Sequence, residues 1–201
     1  RLCFGESDGL PGLVVDRYGA TLVLQVMSAG IERRLSLVAA ALDELLKPDG
    51  IFLKNDHRVR QLEGLPLECR TLAGAVPERV PITENGLRFA APIGEGQKTG
   101  HYFDQRGNRA FLRPHFAGRS VLDLYCYTGD FAVAAAKGGA KSVLAIDSSA
   151  PAVALARENA KFNGVGAVVS VDEGDAEEAL ESCARFSSPF KPDMIVLDPP
   201  S

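Results

Sequence analysis

The chain is 201 residues long, 46% hydrophobic and 24% charged, with a formal net charge of −4. That balance is globular rather than disordered, and the longest apolar runs fall far short of a membrane span. The four cysteines, Cys3, Cys69, Cys126 and Cys183, stand far apart with no CxxC pair, so no disulfide framework or zinc centre is expected, and a reducing cytoplasm is. A net acidic chain is not marked as a nucleic-acid binder by its charge. It opens on Arg1 with neither a methionine nor a charged-then-apolar leader. It stops at Asp198-Pro199-Pro200-Ser201, directly after a strand-like run, as expected of a piece of a longer protein.

In chain order, residues 13–18 (LVVDRY) and 20–27 (ATLVLQVM) are β-rich runs around Gly19, the pattern of a hairpin. Residues 31–47 carry Leu35, Val38, Leu42, Leu45 and Leu46 at the three-and-four spacing of one amphipathic helix. Pro48-Asp49-Gly50 stops it, and residues 51–53 read as a strand. Residues 80–83 and 87–90 flank Glu84-Asn85-Gly86, whose Asn-Gly predicts a tight hairpin turn. Residues 1–95 are therefore expected to form a small α+β domain. The boundary is placed where Gly94, Gly96 and Gly100 crowd together.

From residue 96 to 201 strand and helix alternate. Strands are predicted at 121–124, 142–146, 168–171 and 194–197, and helices at 131–137, 151–162 and 176–183. Alternation of this kind predicts an α/β domain, a parallel Rossmann-like sheet with crossover helices, whose ligands bind at the carboxyl ends of the strands. An acid stands at each of those ends: Asp123, Asp147, Asp175 and Asp198. Asp147 lies about one β-α-β step past the first loop, where an acid accepts from ribose hydroxyls, and Asp175 is placed to accept from an adenine amino group. The competing reading is that each Asp caps the following helix. The two are compatible, because a capping loop also lines the pocket.

The loop after the first strand, Leu124-Tyr125-Cys126-Tyr127-Thr128-Gly129, resembles a glycine-rich nucleotide turn with tyrosines at the two early glycine positions. A dinucleotide fold needs those glycines so that backbone can approach a pyrophosphate. Asp130 at the helix start would also repel phosphate. A ligand with adenosine, a sulfonium and an amino-acid tail avoids both obstacles, and S-adenosyl-L-methionine is the expected cofactor. Gly96-Gln97-Lys98-Thr99-Gly100 has Gln97 before Lys-Thr, so it is not a P-loop. His57 and His115 lack partners at ligand spacing, and no metal is expected.

With these residues on the page, the stretches LDLYCYTGDFAVAAAKGGAKSVLAIDSS, ARENAKFNG and IVLDPPS resemble a class I S-adenosylmethionine-dependent methyltransferase. More narrowly they are similar to the large-subunit ribosomal RNA methyltransferase I and K group. That group shows an LDLFCYTGGF-like first motif and a GQKTGFFLDQR-like stretch, which here reads GQKTGHYFDQR from Gly96 to Arg106. Residues 6–18 resemble the start of the group's middle domain. Tyr125 departs from the commoner Phe, Asp130 from a second Gly, and His101 and Tyr102 from two aromatics.

The resemblance implies that Asp123, Leu124, Tyr125, Cys126, Tyr127, Thr128 and Gly129 wrap the methionine part of the cofactor. It also implies that Asp147, with the neighbouring Ser148, holds the ribose, and that Asp175 and Ala176 edge the adenine. Asp198 would then lie between methyl donor and target base as the catalytic residue. It makes RNA, ribosomal and methylated at cytosine C5, the expected substrate. The nucleophile of related pyrimidine methyltransferases lies beyond the DPP motif, outside this chain. Cys126 sits at the methionine end and is read as a small packed residue.

Between residues 96 and 119, Lys98, Arg106, Arg109, Arg113 and Arg119 face one acid, Asp104. This basic, aromatic-bearing stretch suits phosphate contact and base stacking, with Lys98, Tyr102, Gln105 and Arg106 as candidate substrate residues. The alternative is a helix with a solvated basic face. A nicotinamide-dependent oxidoreductase and a non-catalytic RNA-binding fragment stay open as functions. No membrane partner is expected, and a homodimer is left open.

Overall fold

The computed structural model of the chain describes residues 1–185 and 189–199. They form two compact units, Arg1–Ile82 with Ala90–Phe103, and Thr83–Phe89 with Asp104–Ser201. No helix among the described residues is long and apolar enough to cross a membrane.

The first unit contains β1 (Cys3–Phe4), β2 (Leu13–Tyr18), β3 (Thr21–Val26), α1 (Ala29–Glu32), α2 (Leu35–Leu46), β4 (Gly50–Asn55), α3 (Val59–Leu62) and β5 (Glu68–Gly74). The sheet order is β1-β2-β3-β4-β5. All neighbours are antiparallel except β3 and β4, which the α1–α2 crossover makes parallel. One face of the sheet packs Leu13, Val15, Leu22, Leu24, Ile51 and Leu53 against Val38, Leu42 and Leu46 of α2. The expected single helix over 31–47 is divided, because Arg34 leaves helical geometry at φ −112° and ψ 8°. Leu45, counted in its apolar face, is 77% exposed. Lys47 turns left-handed at φ 46° and ends α2 before Pro48, where a proline disfavours helix in the residue preceding it.

The hairpin of β6 (Arg79–Glu84) and β7 (Leu87–Pro92) turns on Asn85 and Gly86, at φ 49° and 79°, both in the left-handed region a tight turn requires. Its tip, 83–89, belongs to the second unit and its remaining residues to the first. The expected boundary at 95/96 falls inside the first unit, which extends to Phe103. There Lys54 donates to the Gly94 carbonyl at 2.7 Å and Tyr18 meets Thr99 at 2.8 Å, so the glycine-rich stretch is docked rather than a linker.

The second unit contains α4 (Arg106–Leu112), β8 (Ser120–Leu124), α5 (Asp130–Lys137), β9 (Ser142–Asp147), α6 (Ala150–Phe162), β10 (Val169–Glu173), α7 (Ala176–Ala184) and β11 (Met194–Leu197). Its sheet is all parallel in the order β10-β9-β8-β11. The chain moves outward from β8 through β9 to β10, then returns to the other side of β8 with β11. The β8–α5 loop therefore lies at the point where strand order reverses, where sheets of this kind bind ligands. Gly129 begins α5 in close contact with α6: a Cβ added there would lie 2.9 Å from the Ala156 Cβ.

Candidate functional site

The β8–α5 loop keeps the backbone of a glycine turn with tyrosines at its two early glycine positions. Tyr125 (φ 59°), Tyr127 (φ 48°) and Gly129 (φ 78°) are all left-handed. For an L-residue that conformation costs roughly 1 kcal/mol, so the two tyrosines persist only because their surroundings hold them. The Tyr127 amide donates to Asp147 at 2.8 Å, and the Cys126 amide to the Ile146 carbonyl at 3.0 Å. From α6, the fully buried Asn159 donates its side-chain amide to the Thr128 carbonyl at 2.9 Å. Asn159 lies in phase with the buried Leu155 and Ala156 of α6. An asparagine, a poor helix former, in the apolar phase of a helix is a readable sign of a buried polar contact. The sequence reading singled out neither Asn159 nor Asn163.

Asp123 is the most unusual group in the loop's surroundings. Its carboxyl, in the middle of the parallel sheet, is 1% exposed, and Oδ2 has no hydrogen-bond partner. Burial, the largest cause, pushes its pKa up to about 8. A backbone hydrogen bond from Ala132 works against this, while the charges of Asp130, Asp198 and Asp147 add to it. Three strand-end acids, Asp123, Asp147 and Asp198, therefore share one electronegative region with Asp130. A buried carboxyl oxygen without a donor, with Asp147 and Asp198 near it, fits a cationic ligand.

The remaining acids divide. Asp147 is half-buried and accepts from Tyr127 through Oδ2 and from the Ser149 amide at 2.9 Å through Oδ1. It does not cap α6, which Ser149 does, and Ser148 beside it is exposed. Asp175 is exposed and caps α7, accepting from Glu177 and Glu178 at 2.8 and 2.9 Å. Of the four acids, only Asp175 takes the simple capping role. The Gly174 amide donates to the Asp147 carbonyl at 3.0 Å, which brings the Asp175 turn and the buried Ala176 to the end of β9. Asp198 is exposed at the end of β11.

Cys126 is buried, and its thiol contacts the Tyr127 carbonyl oxygen at 3.8 Å. Burial, followed by the charges of Asp123, Asp147 and Asp130, raises its pKa far above the ordinary thiol value. The thiolate needed for nucleophilic attack is strongly disfavoured there.

Asp130, expected to oppose an anionic group, is turned aside. It is 5% exposed, accepts from the Thr128 hydroxyl at 3.0 Å and lies 3.7 Å from Arg109. Arg109 corrects the picture of a solvent-facing basic stretch. It is 3% exposed and forks onto Glu84 at 2.7 and 2.8 Å. Burial opposes its charge, but the Glu84 hydrogen bonds and the charges of Asp130 and Glu84 outweigh that. Lys98 and Arg106 remain exposed.

The four candidate substrate residues are split between the units. In the first, Lys98 lies 4.3 Å over the Tyr102 ring, whose hydroxyl donates to Gln97. In the second, Arg106 starts α4, and Gln105 lines a pocket of about 340 Å³ with Asn108, Phe111, Phe131 and β11 up to Asp198. Among the described residues, no three His, Cys, Asp or Glu side chains are grouped to hold a metal.

A model of the S-adenosylmethionine-dependent methyltransferase family matches residues 23–201. Ribosomal RNA large subunit methyltransferase I of Aeromonas hydrophila subsp. hydrophila is 42% identical over 203 residues, covering 100% of this chain and 51% of the relative. The protein of the same description from Erwinia tasmaniensis is 40% identical over 202 residues, covering 100% and 50%. The chain thus spans about half the length of these curated relatives. A solved protein, assigned as a methyltransferase and complexed with S-adenosylhomocysteine, aligns with a TM-score of 0.86 at 27% identity, over 100% of this chain and 51% of its own.

Proposed function

Because the chain belongs to the S-adenosylmethionine-dependent methyltransferase family, we propose that it carries the methyl-donor site of an enzyme that methylates a base of large-subunit ribosomal RNA, with cytosine C5 as the acceptor. The observation that carries the donor site is the buried, unpartnered Asp123 oxygen among Asp130, Asp147 and Asp198. The relatives named as ribosomal RNA methyltransferases support the substrate class.

In this reading the Asp123 oxygen accepts from the ammonium of the donor's methionine part, and residues Leu124 to Gly129 wrap that part. No side chain caps α5 at Gly129, so the first turn of that helix offers amides to the carboxylate. Asp147, held in place by Tyr127 and Ser149, keeps lone pairs for ribose hydroxyls, with Ser148 beside it. Asp175 and Ala176 edge the adenine. S-adenosyl-L-methionine, when bound, supplies an electrophilic methyl group on a sulfonium. Asp198 orients the target base for in-line attack, where positioning is most of the catalysis. Attack from C5 also needs a nucleophile added at C6, and Cys126, with its thiolate disfavoured, does not supply it. Residues 1–95, together with Lys98, Tyr102, Gln105 and Arg106, serve RNA contact.

Calorimetric titration with S-adenosylhomocysteine and with NADH tests the cofactor; binding of NADH alone would sink the reading. Mass spectrometry of ribosomal RNA from a strain lacking the gene tests the acceptor. The expected result is loss of one 5-methylcytosine from the large-subunit RNA. An unchanged methylation pattern would remove that RNA as the substrate.

A further inference from the structure

Resting on the methyl-donor reading, we propose that Arg109 is a positioning residue for the β8–α5 loop: clamped by Glu84, it holds and neutralises Asp130, so that the start of α5 accepts a carboxylate. Every contact in this chain of residues lies within the second unit.

Asp130 is the first residue of α5 and stands where an incoming carboxylate would meet the helix amides. Left to itself, an anion there would cancel the attraction that a helix start offers. It is not left to itself. Its Oδ1 accepts from Thr128, and its Oδ2 faces Arg109 Nη1 at 3.7 Å. The guanidinium in turn has its Nε and Nη2 on the two Glu84 oxygens, and its Cζ lies 5.7 Å from the Phe131 ring centroid. A planar fork held on two atoms and an aromatic ring has little rotational freedom.

Glu84 is itself anchored. It belongs to the hairpin tip, where Arg113 donates to the Asn85 carbonyl at 3.3 Å. The Arg88 amide and carbonyl exchange hydrogen bonds with the Asn163 side chain at 2.9 and 2.6 Å. Asn163 also donates to the Asn159 carbonyl at 2.8 Å, and Asn159 holds Thr128. The loop is therefore gripped through Thr128 from two directions, by Asn159 directly and by Glu84–Arg109–Asp130. Bidentate pairing of a buried arginine is a means of fixing geometry at an adjacent site, and the adjacent residue is the one whose charge must be managed.

The role separates from simple structural support by which ligand it affects. S-adenosylhomocysteine has the amino-acid tail, and adenosine lacks it. Calorimetry on the full chain should show R109M weakening S-adenosylhomocysteine binding about tenfold, with adenosine binding within about twofold of wild type. E84Q, which loosens the clamp but keeps the guanidinium, should move the same ligand by about threefold. Adding D130N to R109M should recover most of the lost affinity, since the uncompensated charge is then gone. Equal losses for both ligands, no loss for either, or a double variant no better than R109M would each overturn the proposal. Should R109M fail to fold by circular dichroism, E84Q with the same two ligands decides, and an equal loss of both there overturns it. A wild-type chain that binds neither ligand sinks the methyl-donor reading itself, and this proposal with it.

Discussion

Two aspartates are buried to the same depth, one in each unit, in opposite company. Asp16 on β2 is 0% exposed and receives Arg1 through Nε and Nη2, both at 2.9 Å, together with the Thr99 hydroxyl at 2.6 Å. Thr99 is shared with Tyr18, which extends the network from Arg1 through Asp16 to a buried tyrosine. Asp123 on β8 is 1% exposed, with one oxygen lacking any donor and three further acids raising its pKa. A satisfied buried charge stabilises a geometry and asks for nothing more. An unsatisfied carboxyl, kept protonated by its surroundings, leaves a buried oxygen that only an incoming donor can pair. Burial alone does not separate a structural acid from a functional one; the count of donors does.

The comparison can be broken by experiments of decreasing expected size. Asp16→Ala removes the centre of a satisfied network and should cost about 3 kcal/mol in urea unfolding, with S-adenosylhomocysteine affinity within about threefold of wild type. A large loss of affinity without loss of stability would reverse the assignment. Asp147→Ala removes the acceptor for Tyr127 as well as the proposed ribose contact, and calorimetry should show about a 100-fold loss in the same affinity.

Asp123→Asn should weaken that ligand about tenfold, with a pH signature in stability. The folded Asp123 has a pKa near 8 against an ordinary 3.8. Between those values the folded state holds a proton that the unfolded chain releases, so this group's contribution to stability falls as pH rises toward about 8. Going from about pH 5 to about pH 8, the wild type should lose about 3 to 4 kcal/mol more than D123N; parallel curves would contradict the burial argument. Smallest of all, Cys126→Ser should change ligand affinity by less than about threefold. An effect as large as that of Asp147→Ala would put the thiol back among the candidate groups.

Much of the second unit is readable from the chain. Its four strands and the helices α5, α6 and α7 lie within a residue or two of the predicted ones, helped by local signals such as Pro151 at the start of α6, whereas α4 is not among the predicted elements. The hairpin at Asn85-Gly86 was equally plain. The loop is only half legible: its tyrosines depart from the residues of a glycine turn, yet Tyr125 and Tyr127 adopt the glycine conformation. Propensity argues against that, and contacts from Asp147 and the neighbouring backbone override it. Arg109 looks like part of a basic face because its neighbours in sequence are basic. Its actual partner, Glu84, lies 25 residues away across a hairpin, beyond any local pattern. The same holds for Thr99 and Asp16, 83 residues apart, whose bond keeps the glycine-rich stretch in the first unit.

What the sequence determined by itself was the alternation of elements, the acids at the strand ends and the family to which they belong, since periodicity, turn chemistry and motif spacing are properties of neighbouring residues. Only the tertiary structure decided which acid would lack a donor, which would cap a helix, and that Asp130 would be faced by a buried arginine. Those outcomes depend on which distant donors the fold brings to each carboxylate, and a carboxylate's energy in a protein interior is set by those donors more than by its own identity.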